Sequence, residues 1–422
     1  MNDITENGTF CIMPWINLHV WPSGDAYLCC VSDTEIATGT GAVGNLATDN
    51  LAGIINGDVM KSVRKDMLAG KKNPRCQRCY EAEKFTKYSW RMGFNSEFQD
   101  TIDERIADTQ DDGTITPKLL YVDFRFSNIC NLECRTCGAE LSSAIAKREG
   151  RTPFAMIDPC RHHPISFTDS NYDNFFEDEL KQYLYDTQTF YFAGGEPLLQ
   201  KEQYEILQFL VDNELFDKRL MYSTNLSTLN YKQFDIVDAW KKFDSVSILC
   251  SIDHFGDKLE YIRQGAKHDV IFKNLATLAD ANIEISLEVV VSIYNIYYLA
   301  EFFEYIDSIG KIDSLINIDL LYVYGDRDHP GLLPAPAKQE LIEKINKDKQ
   351  SELFNRLFEK FPEFVNTYNG LVDFINTDVE TYNFDDFLIK IDKFDTIYNT
   401  DLTVTFPWLG DVITAYKAAG NE

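Results

Sequence analysis

The chain has 422 residues, 45% hydrophobic and 25% charged, ordinary values for a globular protein, and this length suggests two or three domains. Twenty-nine Phe and 22 Tyr supply core material and exclude wholesale disorder, and no apolar run reaches the roughly 18–20 residues of a membrane-spanning helix. Acids outnumber bases 67 to 40, for a formal charge of −27, which disfavours nucleic acid and anionic membrane as partners.

The opening MNDITENGTF lacks the basic and apolar regions of a secretory signal, so a cytoplasmic protein is expected. The ten cysteines are unevenly placed. Cys11, Cys29, Cys30, Cys76 and Cys79 lie in residues 1–90, a block with turn-rich stretches such as TGTGAVGN. Three more fall within Cys130–Cys137, and Cys160 and Cys250 stand alone. Clustered thiols in such a chain point to metal or redox chemistry before disulfides. Residues 91–117 are expected to form a linker, since QDTIDERIADTQDDGTITP (99–117) is acidic and weakly periodic and has room for a short helix.

From residue 118 to 332 a regular alternation sets in. Strands are predicted at 119–127, 189–195, 219–225, 245–253, 283–292 and 315–323, where β-branched and aromatic residues run together. Helices are predicted between them, for example at 201–213, 231–243 and 299–310. This pattern argues for parallel βαβ units, as an open sheet or an incomplete barrel. In either arrangement ligands collect at the carboxyl ends of the strands. Residues 333–422 turn helical and read as an appendage. The acidic, aromatic part near 373–396 is expected to be a solvated helical face.

The strongest chemical signal is Cys130-Asn-Leu-Glu-Cys134-Arg-Thr-Cys137, just after the first of these strands. Three thiolates can hold three corners of a cubane iron–sulfur cluster and leave the fourth iron open. A zinc knuckle is the plainer alternative, but structural zinc prefers four protein ligands and no fourth Cys or His is near in sequence. The spacing resembles the signature of the radical S-adenosylmethionine (SAM) superfamily, and the resemblance is strengthened by Gly194-Gly195-Glu196-Pro197 after the second strand. It implies a partial (β/α)6 TIM-like barrel. It also implies a 4Fe-4S cluster on Cys130, Cys134 and Cys137, with SAM bound at the open iron and cleaved to a hydrogen-abstracting 5′-deoxyadenosyl radical. Gly194, Gly195 and Glu196 would then meet the methionyl amine. Ser251 in SILCSID and Arg263 in YIRQG match positions that contact the carboxylate and ribose of SAM. Asn225 and Ser292, which close the third and fifth strands, are weaker candidates, since a capping role suits them as well. Thr136 departs from the pattern, because an aromatic residue usually precedes the last cysteine.

The N-terminal cysteines follow a second pattern. Cys11 is followed by Gly24 and Cys29 in a C-x12-G-x4-C arrangement, and Cys76-Gln-Arg-Cys79 lies downstream. This resembles the twitch module, the short form of the SPASM module, which binds one auxiliary 4Fe-4S cluster. Here it precedes the barrel, whereas in related enzymes it usually follows. PWINLHVWPSGDAYLCC matches its hairpin, with Pro-Ser-Gly at the turn. A four-cysteine zinc site is the alternative. Cys30 could replace Cys29 as ligand or be a buried thiol.

Taken together, the sequence predicts a radical SAM enzyme of α/β class with an N-terminal small α+β module, two 4Fe-4S clusters and a helical C-terminal extension. A peptide or protein side chain is the preferred substrate, and a sugar, alcohol or nucleoside is the alternative. A low-potential donor of flavodoxin or ferredoxin type is the expected electron source. A non-enzymatic iron–sulfur or zinc scaffold is the rival from another class, and the GGEP run and Arg263 speak against it. No catalytic residue is assigned: Cys160, His162 and His163 lie in an insertion, Cys250 reads as core and His254 as a hydrogen-bonded structural residue.

Overall fold

The computed structural model describes residues 4–32, 41–86, 89–149, 175–323 and 326–420. The insertion that carries Cys160, His162 and His163 lies outside them. The chain divides into two compact units. The first comprises residues 1–130, 139–223 and 238–246, and the second 131–138, 224–237 and 247–422.

In the first unit, β1 (Asn17–Val20) and β2 (Asp25–Tyr27) form a hairpin in which His19 faces Tyr27. Its turn closes through Gly24 N–H donating to Trp21 O at 2.8 Å, and Gly24 takes the positive φ (+83°) that glycine tolerates best. The short β3 (Gly44–Asn45) pairs with β2. β1 also runs parallel to β4 (Tyr121–Phe124), so the N-terminal hairpin continues the sheet to which the later strands add. Helices α1 (Asp58–Leu68), α2 (Gln77–Thr86) and α3 (Trp90–Glu97) intervene along the chain. β5 (Thr189–Phe192), α4 (Lys201–Asp212) and β6 (Arg219–Thr224) continue the parallel series.

Side chains alternate across this sheet because successive residues of a strand point to opposite faces. One face is apolar: Leu18, Val20, Val122, Phe124, Phe190, Phe192, Leu220 and Tyr222 are all buried. On that side α4 meets the sheet, with Tyr222 donating its hydroxyl to Gln203 at 3.1 Å. The opposite face carries Asn17, His19, Tyr121, Asp123, Thr189, Tyr191 and Arg219. Near the amino ends of the strands it is covered by α3. Phe94 and the following Phe98 meet Tyr121 edge-on at 5.6 and 6.3 Å, and Glu97 accepts from Arg219 at 3.1 Å. The stretch 91–117, expected as a linker, therefore begins with part of a sheet-packing helix. It then makes the short helix Ile102–Ala107, whose Arg105 donates to Thr116 O at 2.7 Å.

In the second unit β7 (Ser245–Ser251, of which the unit holds Ser247 onward), β8 (Glu284–Val291) and β9 (Leu315–Tyr322) are parallel, with Ser251 beside Glu288 and Glu288 beside Asp319. α5 (His268–Asp280) and α6 (Leu299–Ser308) link them in the order predicted. Ile248, Cys250, Leu287, Val289, Ile318 and Leu320 make the apolar face. The six predicted strands are all present, and parallel strand–helix units fit the expected α/β, partial TIM-like class.

The extension, α7 (Ala335–Asp348), α8 (Glu352–Lys360), α9 (Pro362–Asn369), α10 (Phe384–Tyr398) and α11 (Pro407–Ala418), is helical as expected. Phe303 of α6 packs against Phe354 and Phe364 at 6.1 and 5.2 Å. α10 corrects the expectation of a solvated face, since Phe384, Phe387 and Ile391 are buried. Its polar side chains are also engaged, as described next.

Candidate active site

Residues 125–130 leave the carboxyl end of β4, and the GGEP run leaves the carboxyl end of β5, so the two loops meet. Glu196 N–H donates to Ile129 O at 2.7 Å. Gln200 Nε2 donates to Ser127 O at 3.1 Å and to Gly194 O at 2.7 Å. Gly194 and Gly195 have φ of +79° and +57°. A Cβ on Gly195 would stand 2.5 Å from Ile129 O, so the second glycine is required by backbone-to-backbone contact with the cysteine loop. The carboxylate of Glu196 is buried and its Oε1 accepts from Leu198 N–H at 3.0 Å. Cys130 N–H donates to Ser143 Oγ at 3.2 Å.

The rest of the loop is held in the second unit. Cys134 pairs with Arg263 across a two-residue antiparallel bridge, and Arg135 N–H donates to Ile262 O at 2.8 Å. The guanidinium of Arg263 binds Asp253 through both Nε (2.8 Å) and Nη2 (3.1 Å). Asp253 is fully buried and also accepts from Val290 N–H at 2.8 Å. Two of Arg263's donors are thus used within the protein, which fixes a cation beside Cys134. Burial pushes the Cys134 thiol up, and Arg263 opposes that shift. Ser251 is half-buried at the end of β7, with Cys250 on the opposite, fully buried side. Asn225 donates to Asn131 of the cysteine loop at 3.3 Å and accepts from Ser227 N–H at 2.9 Å. The Ser292 hydroxyl is buried and donates to Asn295 at 3.3 Å, and Asn295 in turn donates to Asp253 O at 3.1 Å. His254 is fully buried, with its ring nitrogens 3.3 Å from Phe255 O and 3.2 Å from Tyr298 O.

One element of this site has no sequence signature. Arg135, between two of the cysteines, is buried and clamped by α10 and the turn after it. Its Nε donates to Tyr261 O at 2.9 Å, and its Nη2 donates to Asp395 at 3.1 Å and Thr400 at 2.8 Å. The guanidinium lies 3.7 Å from the Tyr261 ring centroid, a close cation–π contact. On either side, Tyr398 donates to Glu133 at 2.6 Å and Lys390 donates to Arg135 O at 3.2 Å. The C-terminal extension is therefore a brace for the stretch that carries Cys134.

The N-terminal cysteines form a set of their own in the first unit. Burial pushes the thiols of Cys11, Cys29 and Cys76 up, that of Cys76 to about 12, and further cysteines of the set add to each shift. Cys79 is raised for the same first reason. Burial and then Cys30, Cys11, Cys76 and Cys79 raise Cys29, while burial and then Asp123 raise Cys30 to about 12 against the opposing charge of Arg125. Four thiols crowded where protons are hard to lose suit a cationic iron–sulfur group, which would compensate the thiolates. Among the described residues no group of three His, Cys, Asp or Glu side chains is placed to hold a metal ion. Arg91 braces this module, with Nε and Nη2 on Glu83 at 2.9 Å each and Nη1 on Phe10 O at 2.8 Å.

Residues 124–306 match the model of the radical SAM superfamily, and residues 11–80 match that of an iron–sulfur cluster-binding domain of SPASM type. The chain thus carries a stretch that matches the radical SAM domain, preceded by a stretch that matches an iron–sulfur module, the order the sequence resemblance implied. No curated protein matches it significantly. Similar solved structures include hexahistidine-tagged anSMEcpe with bound AdoMet, at 17% identity and a TM-score of 0.35 over 50% of this chain and 52% of that one. Streptococcus suis SuiB bound to precursor peptide SuiA is 13% identical, with a TM-score of 0.37 over 76% of this chain and 68% of that one. TYW1 with a lysine-pyruvate adduct bound is 15% identical, with a TM-score of 0.28 over 53% and 70%. The chain spans about half the length of anSMEcpe. No helix among the described residues is long and apolar enough to cross a membrane.

Proposed function

We propose that Cys130, Cys134 and Cys137 hold a 4Fe-4S cluster with one open iron, and that Cys11, Cys29, Cys76 and Cys79 hold a second, closed one. The observation that carries this reading is the seating of Gly194–Glu196 on residues 127–129, immediately before Cys130. When bound, the open cluster supplies the electron that cleaves SAM and so the radical that abstracts a substrate hydrogen.

The protein's own part is to bind and orient. Gly194, Gly195 and Glu196 shape the methionyl end of the SAM site. Ser251 and Arg263 serve its carboxylate and ribose side, with Arg263 kept in one orientation by Asp253. Asn225 and Ser292 act as supports, one on Asn131 and the other on Asn295. A low-potential flavodoxin- or ferredoxin-like protein is the electron source. The substrate is a peptide or protein side chain, because enzymes that pair such auxiliary modules with a radical SAM barrel often modify peptides.

Anaerobically reconstituted protein should release 5′-deoxyadenosine with dithionite and SAM. It should also bind about eight iron atoms per chain, four in each cubane. Protein with full iron content that releases none would favour the scaffold rival. Deuterium transfer into 5′-deoxyadenosine from labelled peptides, and not from labelled sugars, alcohols or nucleosides, tests the substrate class.

A further inference from the structure

The polar face of the first unit's sheet carries a buried set that neither cluster explains. His19 and Asp123 are partners across the parallel β1–β4 pair, and His19 Nδ1 lies 2.7 Å from Asp123 Oδ2. Both side chains are 1% exposed. Two residues further on, Arg125 lies on the same face, fixed through its backbone N–H to Val20 O at 2.8 Å. Its guanidinium is 6.0 Å from the Trp21 ring centroid. A Cβ on Gly194 would stand 2.7 Å from Arg125 Cβ, so the arginine stem abuts the first glycine of the GGEP loop directly.

Among the described residues the Arg125 guanidinium has charge partners but no hydrogen-bond partner. Its Nε is 3.7 Å from Asp123 Oδ1, close enough for attraction and too far for a hydrogen bond. Both of those atoms are buried without a partner. No other donor of this guanidinium bonds to a described residue. Asp123 is kept ionised: burial alone would raise it, but His19 and Arg125 together hold it below the usual carboxylate range. Asp123 is fastened to His19 through its other oxygen and so anchors the arginine in place without satisfying its donors. Buried donors in native proteins are nearly always paired. A planar fork of N–H groups left free at the carboxyl end of a parallel strand matches a planar ligand with two acceptor oxygens.

We propose that Arg125, positioned by the His19–Asp123 pair, is a subsite for a carboxylate of the substrate, an acidic side chain or a terminus of the peptide. The subsite rests on the radical SAM reading above and deepens it, since it assigns a recognition element to the residue that follows β4 and two positioning residues, one of them from the N-terminal module.

The test uses the full-length, anaerobically reconstituted protein and two probes at matched ionic strength: N-acetylglutamate α-amide and its neutral isostere N-acetylglutamine α-amide. The carboxylate probe should raise the thermal midpoint and the neutral one should not. In Arg125→Lys and Arg125→Gln the concentration needed for half the shift should rise about tenfold or more, because neither residue supplies the fork. Equal shifts with both probes, or an unchanged response in both variants, overturn the subsite. The methionyl carboxylate of SAM is the other source of this chemistry. SAM affinity by equilibrium dialysis should stay within about twofold in Arg125→Lys, whereas a loss of about tenfold, worth 1.4 kcal/mol, gives the fork to SAM and overturns the assignment. Release of 5′-deoxyadenosine separates the two levels. Wild-type protein with full iron content that releases none overturns the underlying reading, while release with no probe response overturns only the subsite.

Discussion

The two cysteine groups solve the problem of holding thiolates in opposite ways. The N-terminal thiols are raised first by burial and then by one another, with Arg91 opposing the shift only weakly at Cys11 and Cys76. The loop cysteines are less buried, with Cys137 exposed, and Cys134 has a fixed cation beside it in Arg263. The first arrangement suits a closed cluster that no substrate reaches. The second suits a cluster that must accept a ligand: residues 127–129 before Cys130 are seated on the GGEP turn, and Glu133–Arg135 is held by α10.

The largest expected effect sharpens that division. Cys134→Ala should lower 5′-deoxyadenosine release by about a thousandfold or more, the scale on which removing a group essential to one step acts. Cys76→Ala with Cys79→Ala should leave dithionite-driven SAM cleavage within about tenfold, because that step needs only the loop cluster. Equal losses in both proteins would break the division.

The brace comes next. Arg135→Ala removes the cation facing Asp395, which keeps hydrogen bonds from Tyr261, Thr400 and Leu402, and also the Tyr261 ring contact, and breaking such a pair costs up to about 3–5 kcal/mol. Unfolding of the apo-protein by urea should show a loss in this range. Iron retained at the loop should also fall about 10–100-fold in affinity, as for other supports of metal ligands. Unchanged iron retention in a folded variant would detach the extension from the site.

Gly195→Ala should cost about 1–3 kcal/mol, since alanine at φ +57° is strained and its Cβ would meet Ile129 O. SAM cleavage should suffer more than N-terminal cluster content. Iron analysis alongside 5′-deoxyadenosine assay checks both.

The smallest effect concerns charge balance. Asp123 is held low by His19 and Arg125, but Asp319 on β9 has no cation beside it among the described residues. Burial, then Glu288 and Glu363, raise it to about 6 from 3.8. The folded state therefore holds that proton more tightly than the unfolded state, and wild-type stability should decline as pH rises from about 4 through about 6. Asp319→Asn should be more stable than wild type by about 1–3 kcal/mol at pH 7 and no more stable below pH about 4. Thermal unfolding at both pH values measures it.

Much of this was legible in the sequence. Strand positions could be read because β-branched and aromatic runs separated by helical periods are local signals, and the cysteine spacings and GGEP are short motifs. What escaped was long-range pairing. Nothing in Glu133-Cys134-Arg135 announces Tyr261, Asp395, Thr400 and Tyr398 as partners, and nothing marks His19 as the neighbour of Asp123 until β1 joins β4. The engagement of Arg263 by Asp253 is likewise a tertiary fact, although both residues could be placed near the strand end. Residues 91–117 looked like a linker because Phe94 and Phe98 are too few to set a periodicity, yet both find Tyr121.

The decisive measurement is electron paramagnetic resonance of the reduced Cys130→Ala/Cys134→Ala/Cys137→Ala protein, with iron analysis, beside the wild type. The triple variant should keep about four iron atoms, one cubane, and a signal that SAM leaves untouched, while the wild type shows a second signal that shifts when SAM is added. A triple variant without iron, or one whose remaining signal still responds to SAM, would contradict the division of labour between the two cysteine groups.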